Sequence, residues 1–76
     1  MNKARRAVLN KIINALTELK DELESIKEDE QDAMDNLPES LQDSDRYSAM
    51  EEAVDNMDSA FDGIEDVIDY LESAME

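Results

Sequence analysis

Residues 51–76 read EEAVDNMDSAFDGIEDVIDYLESAME and state one seven-residue phrase three and a half times: acid, any residue, small, large apolar, Asp, any residue, large apolar. Large apolar side chains recurring at steps of three and four share one face of an α-helix, because a turn takes 3.6 residues. The seam begins upstream, at Tyr47 and Met50, and continues through Val54, Met57, Phe61, Ile64, Ile68, Leu71 and Met75. Ala53, Ala60, Val67 and Ala74 form a column beside it. The apolar strip is therefore broader than a two-stranded coiled coil requires.

Upstream lies DNLPESLQDSDRY, residues 35–47. Pro38 lacks the amide hydrogen a helix interior needs and biases Leu37 away from helical geometry, so a helix must end just before it. Asp43 or Ser44 is suited to cap the helix that follows. A short helical turn over residues 39–42 would pin Leu41 on the end of the bundle. Further upstream, Leu9, Ile12, Leu16, Leu19, Leu23 and Ile26 again alternate steps of three and four, a register that runs on through Glu30 and Ala33 to Leu37. Val8 and Ile13 flank this seam, and Met34 lies off it. The pattern predicts an all-α chain: helix 1 over about 3–35, a hinge over 36–43 and helix 2 over about 44–75.

Two rods of about 45–50 Å joined by a short hinge should fold back as an antiparallel hairpin, coiled-coil-like in its packing. A hinge centred near residue 40 would set Leu23 near Met57, Leu16 near Ile64 and Leu9 near Leu71. A lone hairpin leaves part of each broad face wet. Two copies paired as a four-helix bundle would cover it, so a homodimer is expected, with a monomer awaiting a partner as the competing state.

Charge is unevenly spread. Residues 1–17 carry Lys3, Arg5, Arg6 and Lys11 with no acid, whereas the remainder holds all 22 acids against Lys20, Lys27 and Arg46. The net charge of −15 should repel nucleic acid and anionic membrane and attract basic protein surfaces. Antiparallel folding would lay the basic start beside Glu65, Asp66, Asp69, Glu72 and Glu76. That would compensate two helix ends that each oppose the helix dipole.

The acids of helix 2 are ordered. Glu51, Asp55, Asp58, Asp62, Glu65, Asp69, Glu72 and Glu76 advance by four and three, a stripe parallel to the apolar one. Like charges at these spacings each destabilise a helix by ~0.2–0.5 kcal/mol. One reading is a solvated face on a very acidic protein. The other is a template for a basic partner, since successive carboxylates ~5 Å apart along the helix match the spacing of strand phosphates. The hinge end is the most acidic region, with eleven acids against Arg46 alone over residues 28–55. Candidate partner-binding residues are Asp32, Asp35, Glu51, Glu52, Asp55, Asp58, Asp62, Glu65 and Asp69.

Other chemistry has little support. The chain has no Cys and no His, which excludes disulfides, thiolate or imidazole metal ligation and the commonest general base at neutral pH. Residues 58–69 place Asp58, Asp62, Gly63 and Asp69 at positions 1, 5, 6 and 12 of a calcium loop, but Ala60 supplies no ligand and the heptad runs straight through. Gly63 falls on the outer face of helix 2, and Met50, Met57 and Met75 read as core. Paired carboxylates need a desolvated cleft for acid–base work, which a two-helix hairpin does not offer. No enzyme activity, cofactor, membrane association or direct nucleic-acid binding is expected. The apolar run after MNKARRAV is broken by Asn10, Lys11 and Asn14, unlike a secretory signal, and a cytoplasmic location is the default.

Over EDEQDAMDNLPESLQDSDRYSAMEEAVDNMDSAFDGIEDVIDYLESA, and again at MNKARRAV, the chain resembles a group of short, acidic, uncharacterised helical proteins of Gram-positive bacteria and their phages or mobile elements. The resemblance implies a helical hairpin and a phage origin, and carries no binding residues with it. Secreted helical hairpins of similar size have Trp-x-Gly at the hinge, which is absent here. The expected function is a small acidic protein-binding module, a phage-encoded inhibitor that occludes a basic, nucleic-acid-binding surface of a host defence or regulatory protein. The alternative is a structural or assembly protein whose apolar seam pairs with another helical protein.

Overall fold

Asn2 sets the start of the first helix. Its backbone is extended and its side-chain oxygen accepts from the Arg5 amide at 2.8 Å, satisfying one of the donors a helix start leaves free. With no Gly or Pro for the next 33 residues, helix α1 runs uninterrupted over Lys3–Asp35. It ends where expected, at the turn before Pro38, whose φ of −56° and ψ of 146° leave the helical region. These features come from a computed structural model describing residues 1–76.

A 3-10 turn over Glu39–Leu41 follows, closed by the Leu41 amide donating to the Pro38 carbonyl at 2.8 Å. Gln42 steadies the hinge from the side, its amide nitrogen donating to the Leu37 carbonyl at 3.3 Å. Leu41 stays 41% exposed at the tip. Ser44, rather than Asp43, caps the second helix by accepting from the Tyr47 amide. Helix α2 then spans Asp45–Ala74.

The two helices pack along their length into a rod with axes of 59 × 15 × 12 Å. Its radius of gyration of 17.4 Å exceeds the ~11 Å of a globular chain of this length. Little is deeply covered: Ile13, Met34, Val54 and Ile68 are the only buried residues, and none is completely so. On α2 the residues turned inward are those of the sequence seam, from Tyr47 to Met75.

On α1 half of the seam differs from the sequence reading. Leu9, Leu16, Leu23, Glu30 and Leu37 face the partner helix as expected, but the alternate column is Ile13, Lys20, Lys27 and Met34. Ile12, Leu19 and Ile26, 41%, 54% and 58% exposed, lie outside with Ala33. Both columns flank the same row of leucines, and one partner helix can cover only one of them. Cross-helix charge favours the less apolar choice. Turned inward, Lys20 and Lys27 hold their ammonium nitrogens over the Phe61 ring, 5.3 and 5.7 Å from its centre, within cation–π range.

These contacts also fix the register. Lys20 and Lys27 both reach Phe61, and Lys27 also reaches Asp58, which sets the middle of α1 beside this turn of α2. Every residue before Leu9 is exposed, because α1 overhangs the end of α2 there. The expected compensation of the basic start is accordingly absent as contact: the two ion pairs of the chain both belong to Lys27.

Candidate functional site: two unlike flanks of the hairpin

Labelling the inward residues a and d turns the fold into columns. On α1, Ile13, Lys20, Lys27 and Met34 are a and the leucine row is d. On α2, Tyr47, Val54, Phe61, Ile68 and Met75 are a. Lys27 then identifies which columns adjoin across the helices. Its ammonium donates to Asp58 at 2.7 Å and lies 3.2 Å from Glu24, and both acids are in the e columns. The e columns of the two helices thus share one side of the hairpin, and the g columns share the other.

The g side is apolar. It carries Ile12, Leu19, Ile26 and Ala33 from α1 and Ala53, Ala60, Val67 and Ala74 from α2. The outer c columns extend it through Val8 and Ala15, and through Ala49, Asn56, Gly63 and Tyr70. Val8, Val67 and Tyr70 are 58%, 46% and 76% exposed. A side chain at Gly63 would meet nothing within 4 Å. Glu22 and Asp29 are the only acids on this flank, and Arg5 and Arg46 stand at its two ends.

The other side is anionic. Every acid of α2, from Asp45 to Glu72, occupies the b, e or f column. Glu51, Asp58 and Glu65 are in e, Asp55, Asp62 and Asp69 in b, and Glu52 in f. Asp35 is in b of α1 and so borders the same flank near the hinge, whereas Asp32, in f, sits on the back of α1. All nine candidate binding residues are exposed. Asp58 differs from the others because Lys27 already holds its carboxylate. The Asp35 carboxylate accepts from the Gln31 amide at 3.1 Å.

The hydrogen bonds from Lys27 to Asp58 and then to Glu24 raise its pKa above the ordinary 10.5. It is therefore a fixed cation at neutral pH, bracing the two helices on the anionic side. Sequence periodicity alone could not single it out, because Lys20 and Lys27 fall one column away from the apolar seam read on α1.

The calcium-loop likeness over residues 58–69 meets an unbroken helix, and no group of three or more acids in the fold is placed to hold a metal ion. No helix is long and apolar enough to cross a membrane. Compared with protein-family profiles, with curated proteins and with solved structures, the chain matches none.

The exposed area bears on what these flanks do. The chain exposes 5619 Å², against roughly 4,700 Å² for a folded monomer of its 8.6 kDa. A two-helix rod has no second layer, and the excess of about 900 Å² is close to the ~800 Å² each partner buries in a standard interface.

Proposed function

We propose that the hairpin is a small acidic protein-binding module which pairs with a second copy through its apolar flank, forming a four-helix bundle with the anionic flanks outside. The acids then meet a basic surface of another protein, of the kind that holds nucleic acid. The observation that carries this reading is the separation of charge: every acid of α2 keeps to the b, e and f columns while the g and c columns are free of them. A chain selected only for stability would intersperse Lys or Arg along the stripe, because like charges at i,i+3 and i,i+4 are unfavourable.

Asp55, Asp62, Glu65 and Asp69 supply the regular row, with Glu51 and Glu52 toward the hinge and Asp35 across from them. Asp32 extends the charge around the back of α1. Asp58 serves chiefly to hold Lys27. The resemblance to small proteins of phages and mobile elements favours a host defence or regulatory protein as the partner, with the module as its inhibitor.

Two sets of measurements test the reading. The immobilised protein captures a partner from host lysate, and both ~0.5 M salt and duplex DNA release it, because contact charges are screened and the site is shared. A variant with Asp55, Asp62 and Asp69 changed to Lys keeps its helicity and captures nothing. Capture that survives both the reversal and competing DNA would sink the proposal. The second reading, an assembly protein, is favoured by the uncovered Leu19 and Ile26. It predicts the opposite pattern: changing both to Lys abolishes partner binding, and the acid reversal leaves it intact.

A further inference from the structure

The apolar flank decides which side of the hairpin a second copy covers, and leaves open the direction in which that copy runs. Resting on the pairing proposed above, we infer that the two hairpins lie head to tail, the overhanging first turns of each α1 docking on the acidic hinge of the other.

Both ends of the rod are incomplete in complementary ways. At one end, α1 projects beyond α2, and Lys3, Arg5 and Arg6 have no carboxylate within ion-pair distance. Met1, Ala4, Val8 and Leu9 line a shallow, largely apolar depression beside Arg5, of about 440 Å³. At the other end the hinge loop carries Glu39 and Asp43 against Arg46, with Asp35 and Asp45 on the outward columns behind them, and Leu41 stands 41% exposed at its tip. Copies running in the same direction would set cations against cations at one end and acids against acids at the other. Reversing one copy sets each basic overhang against an acidic hinge and brings an uncovered Leu41 to each apolar depression.

Contact pairs formed this way fall well inside the ~8 Å screening length at physiological salt, whereas repulsion between the outer anionic flanks acts over longer distances and is damped. The arrangement also redistributes the free charge. Hinge acids become partly neutralised, so a basic partner meets the α2 row around Asp62 rather than the tip.

Spin labels on single cysteines test this directly, since the chain has no cysteine of its own. Ser40 marks the hinge and Ser59 the outer face of α2 near mid-length, and both are exposed. In head-to-tail pairs, Ser40→Cys labels lie nearly the 59 Å length of the rod apart, and Ser59→Cys labels lie within ~35 Å, a few helix diameters. Ser40→Cys labels within ~30 Å would overturn the direction inferred here while keeping the dimer. A monomer mass by light scattering, with no intermolecular distance from either label, would remove both the pairing and this inference. Changing Arg5 and Arg6 together to Gln supplies an independent sign. Head-to-tail pairing weakens several-fold as four attractive cations per dimer are lost, whereas same-direction pairing, relieved of cations facing cations, tightens, and tightening would refute the inference.

Discussion

Two adjacent isoleucines offer the sharpest test of the fold. Ile13 is 9% exposed and faces α2, whereas Ile12 is 41% exposed and faces the apolar flank. Replacing either by Ala removes about three methylene equivalents, worth ~0.8 kcal/mol each when fully buried. For Ile13, nine-tenths covered, the transfer loss is about 2 kcal/mol. A small residual cavity takes the total toward ~2–3 kcal/mol, the lower part of the usual range because a rod edge relaxes easily. Ile12, 41% exposed, loses about 1.4 kcal/mol of transfer energy, and the ~0.4 kcal/mol of helix propensity that Ala regains at either site leaves net losses of about 2 kcal/mol for Ile13 and about 1 kcal/mol for Ile12. A difference of about 1 kcal/mol separates the two melting temperatures by about 4–8 °C in a domain of this size. Circular dichroism melts over a dilution series read both effects. The Ile13→Ala loss persists at every concentration, while the Ile12→Ala loss grows as concentration rises and the flank becomes covered. An Ile12→Ala loss equal to that of Ile13→Ala at the highest dilution would refute the assignment of inner and outer columns.

Three further outcomes are expected. Because Lys27 has a raised pKa, its stabilising contribution is fully present below the ordinary value of 10.5 and disappears as pH climbs through the raised one; urea midpoints should fall on that alkaline limb in the wild type and less steeply in Lys27→Met, and parallel limbs would contradict the role given to Lys27. Gly63→Ala should stabilise the dilute protein by ~0.5–1 kcal/mol, since nothing stands within 4 Å of the new methyl group and Gly is a poor helix former; a lower melting temperature would show an unseen neighbour. Ser44→Ala should cost about 1 kcal/mol of stability by removing the cap on Tyr47, whereas Asp43→Ala should stay within ~0.5 kcal/mol; equal losses in urea titration would mean that the cap is shared.

Much of the architecture was legible in the amino-acid order because it depends on local rules. Asn2 and Ser44 have the side chains that cap helix starts, Pro38 cannot continue a helix, and the apolar steps of α2 admit one register only. The acid columns were equally legible, since a helix converts spacing into a face whatever it packs against. Those features hold before any partner helix is chosen.

Tertiary packing decided the rest. Around the row Leu9, Leu16, Leu23, Glu30 and Leu37, α1 offers two possible second columns, and periodicity picks the more apolar one, Ile12 to Ala33. Only the approach of α2 shows that Phe61 lies beneath the ammonium groups of Lys20 and Lys27 and that Asp58 meets Lys27, leaving the greasier column outside. The exposure of Leu19 and Ile26 and the loss of Asp58 to an ion pair both follow from that choice. A helix's own sequence specifies which residues share a face. Which of two competing faces is buried depends on side chains more than thirty residues away, and no local pattern contains that information.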